Sequence, residues 1–300
     1  MGRTVFVNGE YLDEQDAKVS LFDRGFLFSD SVYEVTAVIN QKLVSWKGHI
    51  RRLRRSLKEL EIALKISDDY ILDIHRKLLD LNNLKEGLVY LQITRGVADR
   101  DFSFPDPAVE PTVVLFTQER ELINNKKIKL GTKVLSFPDL RWGRSDIKST
   151  QLLYASMSKQ RALDQGKDEA WFVRDELVTE GSSNNAFIIS KDKKLKTRSL
   201  TRDVLAGITR ESVIKYSKNR GYIFEEKPFS LEEAKDSLEA FTTSATTFIM
   251  PVVEIDGFKV GSGLPGKITM ELRKLYIENI MRKLKERGGR REDRKERREG

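Results

Sequence analysis

The chain opens with segments in which apolar and polar residues alternate, the pattern of strands with one buried face. The segment TVFVNGEYL predicts a hairpin turned at Asn8-Gly9, because Asn-Gly pairs suit the tight turns between antiparallel strands. After a loop through Phe22–Asp30, the segment VYEVTAVINQKLVSW predicts two more strands with a turn at Asn40-Gln41. Further strands are expected at Leu88–Gly96 and Thr112–Gln118, which are rich in β-branched and aromatic residues.

Two helices are expected between these strands. Within Gly48–Ala63 the apolar residues recur near the helical period, at Ile50, Leu53, Leu57, Leu60 and Ile62. Asp68–Leu81 predicts a second helix, because Ser67 and Asp68 form a favourable capping pair at its start.

The polar stretch Arg120–Ile128 predicts a linker between two domains. Beyond it, the pattern predicts strands in KLGTKVLSFP, EAWFVRDELVTEG (turned near Arg174-Asp175), NAFIIS, KLKTRSL and FTTSATTFIMPVVEIDGFKV, and helices at Gln151–Gln165, Arg210–Arg220 and Ile268–Leu284. We therefore expect an α+β chain with an N-terminal α/β sandwich domain (1–119), a linker (120–128), a C-terminal domain (129–284) and a charged, mobile tail (285–300). The cleft between the domains is the expected site.

Composition narrows the chemistry. With 39% hydrophobic and 33% charged residues, the chain fits a globular protein that has a highly charged surface. It has no Cys, which excludes disulfides, thiolate catalysis and Cys-ligated metals. Only two histidines are present, His49 and His75, so no metal site is expected and a Ser-His-Asp triad has little support.

The net charge of +8 does not by itself predict a nucleic-acid partner. Residues 282–300 contain ten basic and five acidic residues, so five of the eight net positive charges lie in this C-terminal segment. We expect no nucleic acid as a partner. No window approaches the roughly 18 apolar residues of a membrane span, and the N-terminus lacks the plan of a secretory signal. A cytoplasmic protein with no membrane partner is expected.

Three small-polar clusters in the second half favour a phosphate site: EGSSNN, LAGIT and TTSAT, the second of which begins a predicted helix. Backbone N–H groups in such turns, together with a helix N-terminus, attract anions. Lys148 lies between a predicted strand and a predicted helix among short hydroxylated residues, in DLRWGRSDIKSTQLL. Partial desolvation of its amine would make it a nucleophile.

A series of blocks resembles the fold-type IV pyridoxal-phosphate aminotransferases, most nearly the bacterial D-amino-acid aminotransferases. The blocks are DRGFLFSDSVYEV, GHIRRL, ITRG, RWGRSDIKS, VTEGSSNNAF, LAGITR and TTSATTFIMPVVEIDG, and they cover about residues 1–280 in the order and spacing of that family. The resemblance implies a two-domain fold-type IV enzyme that binds pyridoxal 5'-phosphate in the interdomain cleft, with residues 129–284 as the cofactor-binding domain. It also implies a homodimer.

By this resemblance Lys148 would hold the cofactor through a Schiff base and act as the catalytic proton carrier. Glu180 would pair with the ring nitrogen, and Arg52 would bind the phosphate. The other implied cofactor contacts are Leu205, Ile208, Thr209, Ser244 and Ala245. The implied substrate contacts are Tyr33, Arg100, Ser183 and Thr246. An amino donor and a 2-oxo acid would be the small-molecule partners.

Three departures from the family pattern leave substrate choice open. Phe102 stands where the D-amino-acid enzymes have a His that helps to bind the substrate carboxylate. Ser29 and Ser31 replace glycines, which removes the residue type that most easily adopts positive φ near the site entrance. STQLLY replaces the Gly-Gly-Asn-Tyr run of the branched-chain enzymes, and Tyr154 lies one place too late, which disfavours that specificity.

The first hypothesis is a transaminase that moves an amino group from a D-amino acid, such as D-alanine or D-glutamate, to pyruvate or 2-oxoglutarate. The alternatives are an L-branched-chain aminotransferase and a lyase of the same fold that resembles aminodeoxychorismate lyase. A non-enzymatic basic binding protein would leave the ordered blocks unexplained.

Overall fold

The computed structural model describes residues 2–299, with side chains described through residue 286. The first half of the chain builds one antiparallel sheet and its helices. Its elements are β1 (Thr4–Val7), β2 (Glu10–Asp13), α1 (Arg24–Phe28), β3 (Ser31–Ile39), β4 (Lys42–Leu43), α2 (Trp46–Glu59), α3 (Asp68–Leu81), β5 (Glu86–Thr94) and β6 (Val113–Glu119).

The two hairpin turns in this half lie where the sequence predicts them. Both central residues of each turn have positive φ: 47° at Asn8 and 105° at Gly9, then 50° at Asn40 and 58° at Gln41. This backbone matches the twist of the flanking strands. Helix α3 has its predicted bounds, with the Ser67 side chain accepting a hydrogen bond from the Tyr70 N–H as the N-cap.

The second half builds a larger sheet. Its elements are α4 (Lys127–Leu130), β7 (Thr132–Pro138), α5 (Leu153–Asp164), β8 (Glu169–Arg174), β9 (Leu177–Gly181), β10 (Asn185–Ile189), β11 (Leu195–Thr197), α6 (Ile208–Asn219), β12 (Phe224–Glu226), α7 (Leu231–Lys235), β13 (Glu239–Ser244), β14 (Phe248–Ile255), β15 (Phe258–Lys259) and α8 (Lys267–Glu299).

The first sheet has the strand order β2-β1-β6-β5-β3-β4, and α2 and α3 cover one of its faces. The second sheet has the order β12-β11-β10-β13-β14-β7-β8-β9, with β15 paired to β14. In a flat sheet β9 and β10 would be about 24 Å apart, five strand spacings of about 4.8 Å. Only residues 182–184 connect the end of β9 to the start of β10, and a fully extended connection of this length spans about 14 Å at most. The second sheet must therefore curl strongly, which brings β9 beside β10.

The predicted linker is fixed to both halves. The backbone N–H groups of Leu122 and Ile123 donate to Glu86 Oε1 at 2.6 and 2.9 Å. Their carbonyls accept from Arg273 Nη2 on α8, each at 3.1 Å. The end of the linker is helical, because α4 begins at Lys127. The domain boundaries themselves stay a prediction.

Several short elements differ from prediction. Helices α1, α4 and α7 and strand β12 were not expected, because each has three to five residues and no periodic pattern can develop over that length. Helix α2 begins at Trp46 and ends at Glu59, ahead of the predicted Ala63, and Glu61 beyond it has φ 53°. The turn after β8 falls at Asp175 and Glu176, one residue later than predicted.

Helix α8 continues through Glu299 into the segment predicted as a charged tail. Most side chains of the predicted tail, residues 285–300, lie outside the described residues. The predicted mobility of this tail stays a prediction. No helix within residues 2–299 is both long and apolar enough to cross a bilayer.

Candidate functional site

A cavity of about 190 Å³ is walled by residues from both sheets. Strand β3 and helix α2 contribute one side, and the segment before α5, the β9–β10 turn, the start of α6 and the β13–β14 turn contribute the other. All predicted site residues except Arg100 line it: Tyr33, Arg52, Lys148, Glu180, Ser183, Leu205, Ile208, Thr209, Ser244, Ala245 and Thr246.

Lys148 reaches the cavity from the segment between β7 and α5. Its backbone carbonyl accepts from the Tyr33 N–H at 2.9 Å, and its own N–H donates to Ser56 Oγ on α2 at 3.4 Å. The side-chain Nζ lies 4.1 Å from the centroid of the Tyr33 ring. Arg52 and Arg141 in the same wall have carboxylate partners, whereas the Lys148 ammonium forms no ion pair with a described residue. The amine is therefore available for chemistry in the cavity.

Arg52 is held by a buried carboxylate. Glu34 Oε1 accepts from Arg52 Nε at 2.7 Å, and Glu34 Oε2 accepts from Arg52 Nη2 at 2.8 Å and lies 2.8 Å from His49 Nδ1. Burial alone would raise the pKa of Glu34, but the Arg52 charge and the bonds from Arg52 and His49 outweigh it and lower that pKa to about 2. Burial lowers the pKa of His49 despite Glu34, so its ring takes up a proton less readily than an exposed histidine.

Sequence reasoning missed Glu34 and His49. The available signal was the alternation of β3, which places Glu34 on the same face as Val32 and Thr36, all three buried. A carboxylate on such a face requires a cationic partner, and Arg52 supplies it.

Glu180 lies at another part of the wall, on β9. Its Oε1 accepts from Arg141 Nη1 at 2.6 Å, and its Oε2 accepts from Asn185 Nδ2 at 3.0 Å and from the Leu205 N–H at 3.1 Å. Arg141 also donates to both oxygens of Asp139, at 2.9 and 2.8 Å. Burial raises the pKa of Glu180 in spite of Arg141. The carboxyl thus holds a proton more readily than an exposed glutamate. The roles of Arg141 and Asp139 were not predicted.

The start of α6 forms the anion-attracting end of the cavity. Its N-cap is Gly207, and no side chain caps the first turn, so the N–H groups there remain for another acceptor. A Cβ at Gly207 would lie 2.0 Å from Asn185 Oδ1, so a larger residue there would displace the Asn185 side chain. Arg52 Nη1 donates to the Ala206 carbonyl at 3.0 Å, which places the guanidinium beside the helix start.

The β13–β14 turn completes this end. Thr209 Oγ1 donates to the Ser244 carbonyl at 2.9 Å, and Ser244 Oγ accepts from the Thr247 N–H at 3.0 Å. Two buried polar atoms of residues in the cavity wall, Asn184 Oδ1 and Thr243 Oγ1, have no hydrogen-bond partner. A buried polar group without a partner is costly, which suits a wall that binds a polar ligand.

Arg100 lies outside the wall. The guanidinium carbon of Arg100 is 5.4 Å from the centroid of the Phe28 ring and 5.5 Å from that of Phe102. Tyr154 also lies outside, and its hydroxyl donates to the Pro138 carbonyl at 2.6 Å. Ser29 takes the left-handed backbone conformation, with φ 53° at the end of α1, so a serine there keeps the positive φ that suits glycine.

Comparisons with known proteins identify relatives of the chain. The model of the family described as amino-transferase class IV matches residues 31–255. The D-alanine aminotransferase of Staphylococcus aureus (strain COL) is 37% identical over 278 residues, which cover 92% of this chain and 98% of that protein. The D-alanine aminotransferase of Bacillus licheniformis is 36% identical over 280 residues and is covered to 97%.

Among solved structures, the branched-chain amino acid aminotransferase from Escherichia coli superposes with a TM-score of 0.83. The match covers 93% of this chain and 95% of that one, at 22% sequence identity. At this identity the likeness concerns the fold.

Proposed function

The chain belongs to the class IV aminotransferase family, and we propose on this premise that it transfers amino groups from D-amino acids to 2-oxo acids. Enzymes of this family depend on pyridoxal 5'-phosphate, so the chain is a pyridoxal-phosphate-dependent aminotransferase. The family resemblance and the α+β fold-type IV architecture predicted from the sequence are confirmed.

The residues of the cavity fit this cofactor. An uncapped helix start beside Arg52 suits a phosphate, and the buried carboxylate of Glu180, held by Arg141, suits a ring nitrogen that carries a proton. In the same cavity, the Lys148 Nζ lies over the Tyr33 ring and forms no ion pair with a described carboxylate. The proposal depends most on this last observation. The bound cofactor supplies an electron sink that makes the Cα proton of an amino acid easier to remove.

The chain's own residues then have distinct roles. With the cofactor bound, the Lys148 Nζ would take up the proton from the substrate Cα and deliver it to the cofactor instead of to the same carbon; the centroid of the Tyr33 ring lies 4.1 Å from this Nζ. Glu180 holds a proton at the ring nitrogen, and Arg141 and Asn185 fix the orientation of its carboxyl. Arg52 neutralises part of the phosphate charge, with Glu34 setting the direction of its guanidinium. Leu205, Ile208, Thr209, Ser244 and Ala245 shape the cofactor end of the cavity, and Ser183 and Thr246 face the substrate.

D-amino acids are favoured over the alternatives by two observations. Relatives with 36–37% identity along nearly their whole length are D-alanine aminotransferases, whereas the branched-chain enzyme matches at 22% and shares the fold. The Tyr154 hydroxyl is directed to the Pro138 carbonyl and does not line the cavity. A lyase of the same fold remains the second candidate for the same cofactor site.

The predicted role of Arg100 requires a second copy of the chain, because Arg100 does not line the cavity of its own chain. We propose a cytoplasmic homodimer in which the β5–β6 loop, which carries Arg100, contributes to the wall of the other subunit's cavity. Large apolar side chains are exposed on the β5–β6 loop and on α1. Among them are Phe102 at 81% and Phe104 at 58% on the loop, and Phe26 at 69% on α1. Such a patch suits burial against a partner. Mixing R100A chains with K148A chains should restore activity that neither variant has alone.

Covalent trapping tests the role of Lys148. Borohydride reduction of the enzyme with its cofactor should label the peptide that contains Lys148, and K148A should take no label. The control K47A changes an exposed lysine near the start of α2 and should label normally. A label on another lysine contradicts the assignment.

A donor screen tests the substrate. Without a 2-oxo acid, D-alanine or D-glutamate should convert the spectrum of the bound cofactor to that of its amino form. Silence with both, together with conversion by L-leucine, would favour the branched-chain alternative. Release of pyruvate from aminodeoxychorismate would favour the lyase.

A further inference from the structure

The segment that carries Lys148 pairs with the edge of β3 like a short additional strand. Val32 and Ser149 form an isolated antiparallel bridge. The Tyr33 N–H donates to the Lys148 carbonyl at 2.9 Å, and the Thr150 N–H donates to the Ser31 carbonyl at 3.3 Å. Strand β3 pairs with β4 only at Val38 and Ile39, so its edge near Ser31 is open to this segment. The lysine, which follows β7 in sequence, is thereby attached to the first sheet.

A pair of hydroxyls closes this attachment. Ser31 Oγ and Thr150 Oγ1 are 2.5 Å apart, and Ser31 is fully buried. Thr150 Oγ1 also lies 3.3 Å from the Ser29 carbonyl, to which it can donate, and either hydroxyl of the pair can donate to the other. Gln92 Nε2 donates to Ser31 Oγ at 3.4 Å. Hydrogen bonds thus form a network that connects Gln92 on β5 and Ser31 on β3 to Thr150, two residues beyond Lys148.

The same hydrogen-bond network also extends to the Lys148 side chain. The Tyr90 hydroxyl donates to Gln92 Oε1 at 2.8 Å, and the Tyr90 ring stacks on Tyr33 with centroids 5.6 Å apart. Tyr33 is the ring that lies 4.1 Å from the Lys148 Nζ. Backbone and side chain of Lys148 therefore rest on one connected set of β3 and β5 residues.

We propose that Ser31 and Thr150 are positioning residues that set the location of the Lys148 amine through this hydroxyl pair. The proposal rests on the proposed catalytic role of Lys148. Proton transfer to and from a substrate carbon requires the amine within a narrow range of distance and direction, and a displacement of about 1 Å can cost up to about a hundredfold in rate. Ile147 packs in the core beneath the first sheet, so the segment is already tethered there, and the hydroxyl pair sets its fine position.

The test compares variants of the hydroxyl pair with a matched control. T150V removes the hydroxyl and keeps the branched shape, and S31A removes the other member of the pair. T150S keeps the hydroxyl and should rescue. T197V is the matched control, because Thr197 is also buried and donates to the Ala186 carbonyl at 2.8 Å, yet it lies on β11 and does not line the cavity.

T150V and S31A should each lower kcat about tenfold, equivalent to about 1.4 kcal/mol of transition-state stabilisation, with KM nearly unchanged. They should also shift the pH midpoint of the bound-cofactor absorption and speed release of the cofactor. The double variant should resemble either single variant, because the pair acts as a unit. T197V should lose stability but keep the spectrum, and T150S should keep both.

The proposal is overturned when T150V shows the wild-type kcat and the wild-type spectral midpoint, or when its losses match those of T197V. That outcome leaves Lys148 as the labelled residue in borohydride trapping. Failure of the proposed function is different, because the label would then appear on another lysine in the unmodified chain.

Discussion

Replacing Glu34 by glutamine tests the charge balance behind the phosphate end of the site. Glu34 is 2% exposed and makes three close contacts with Arg52 and His49. Lowering a carboxyl pKa from 4.5 to about 2 corresponds to about 3 kcal/mol in favour of the ionised folded state. Removing one partner of a buried ion pair costs about 3–5 kcal/mol. Since glutamine keeps one acceptor, we expect E34Q to lower the free energy of unfolding by about 3 kcal/mol.

The loss has a defined pH window. Because the folded pKa of Glu34 lies below its unfolded value, its contribution is complete above pH 4.5 and disappears as the pH falls towards about 2. The part of the difference between wild type and E34Q that comes from the Glu34 charge should therefore be constant above pH 4.5 and shrink below it. Inorganic phosphate should stabilise E34Q more than wild type, because an anion at Arg52 replaces the missing charge.

The assay is urea unfolding of the cofactor-free protein, with and without phosphate. E211Q is the matched control, because Glu211 pairs with Arg51 on the surface with side chains 66% and 70% exposed, a pair worth at most about 1 kcal/mol. A loss in E34Q no larger than that in E211Q, or an equal effect of phosphate on wild type and E34Q, would refute the reasoning.

Two further predictions concern buried groups outside the cavity. Burial lowers the pKa of His75 from 6.5 to about 4, so its contribution to stability is lost as the pH falls from 6.5 towards 4. Unfolding free energies of H75Q measured over this range should depend less on pH than those of wild type, and equal slopes would contradict the assignment. At Gly96, with φ 104°, an added Cβ would lie 2.3 Å from the Glu110 carbonyl oxygen, so G96A should cost about 2–4 kcal/mol. G166A, with φ 69° and no neighbour within 4 Å, should cost about 1 kcal/mol in the same denaturation experiment.

The sequence predicted those features that depend on local pattern. Helix α3 and the two hairpins of the first half follow from capping and turn chemistry. The residues of the cavity wall followed from the family blocks, and Arg52, Lys148 and Glu180 do come together from distant parts of the chain.

Other features depend on contacts between distant residues, which no local pattern contains. Glu34 became interpretable only when α2 placed Arg52 and His49 against β3. Arg141 lies in the family block RWGRSDIKS, but its hydrogen bonds to Asp139 and Glu180 depend on how β7 and β9 lie in the curled sheet. The pairing of residues 148–150 with β3 likewise joins positions more than 100 residues apart.

Arg273 connects the predicted linker to the β13–β14 turn of the cavity wall. Its buried guanidinium donates to the carbonyls of Leu122 and Ile123 in the linker, and also to those of Thr247 and Ile249 at the β13–β14 turn, both at 2.8 Å. One planar cation thus joins Leu122 and Ile123 of the predicted linker to the turn that carries Ala245 and Thr246. A movement of the linker relative to the β13–β14 turn would have to break these hydrogen bonds, and a lysine, with three N–H donors on one nitrogen, could not serve all four carbonyls.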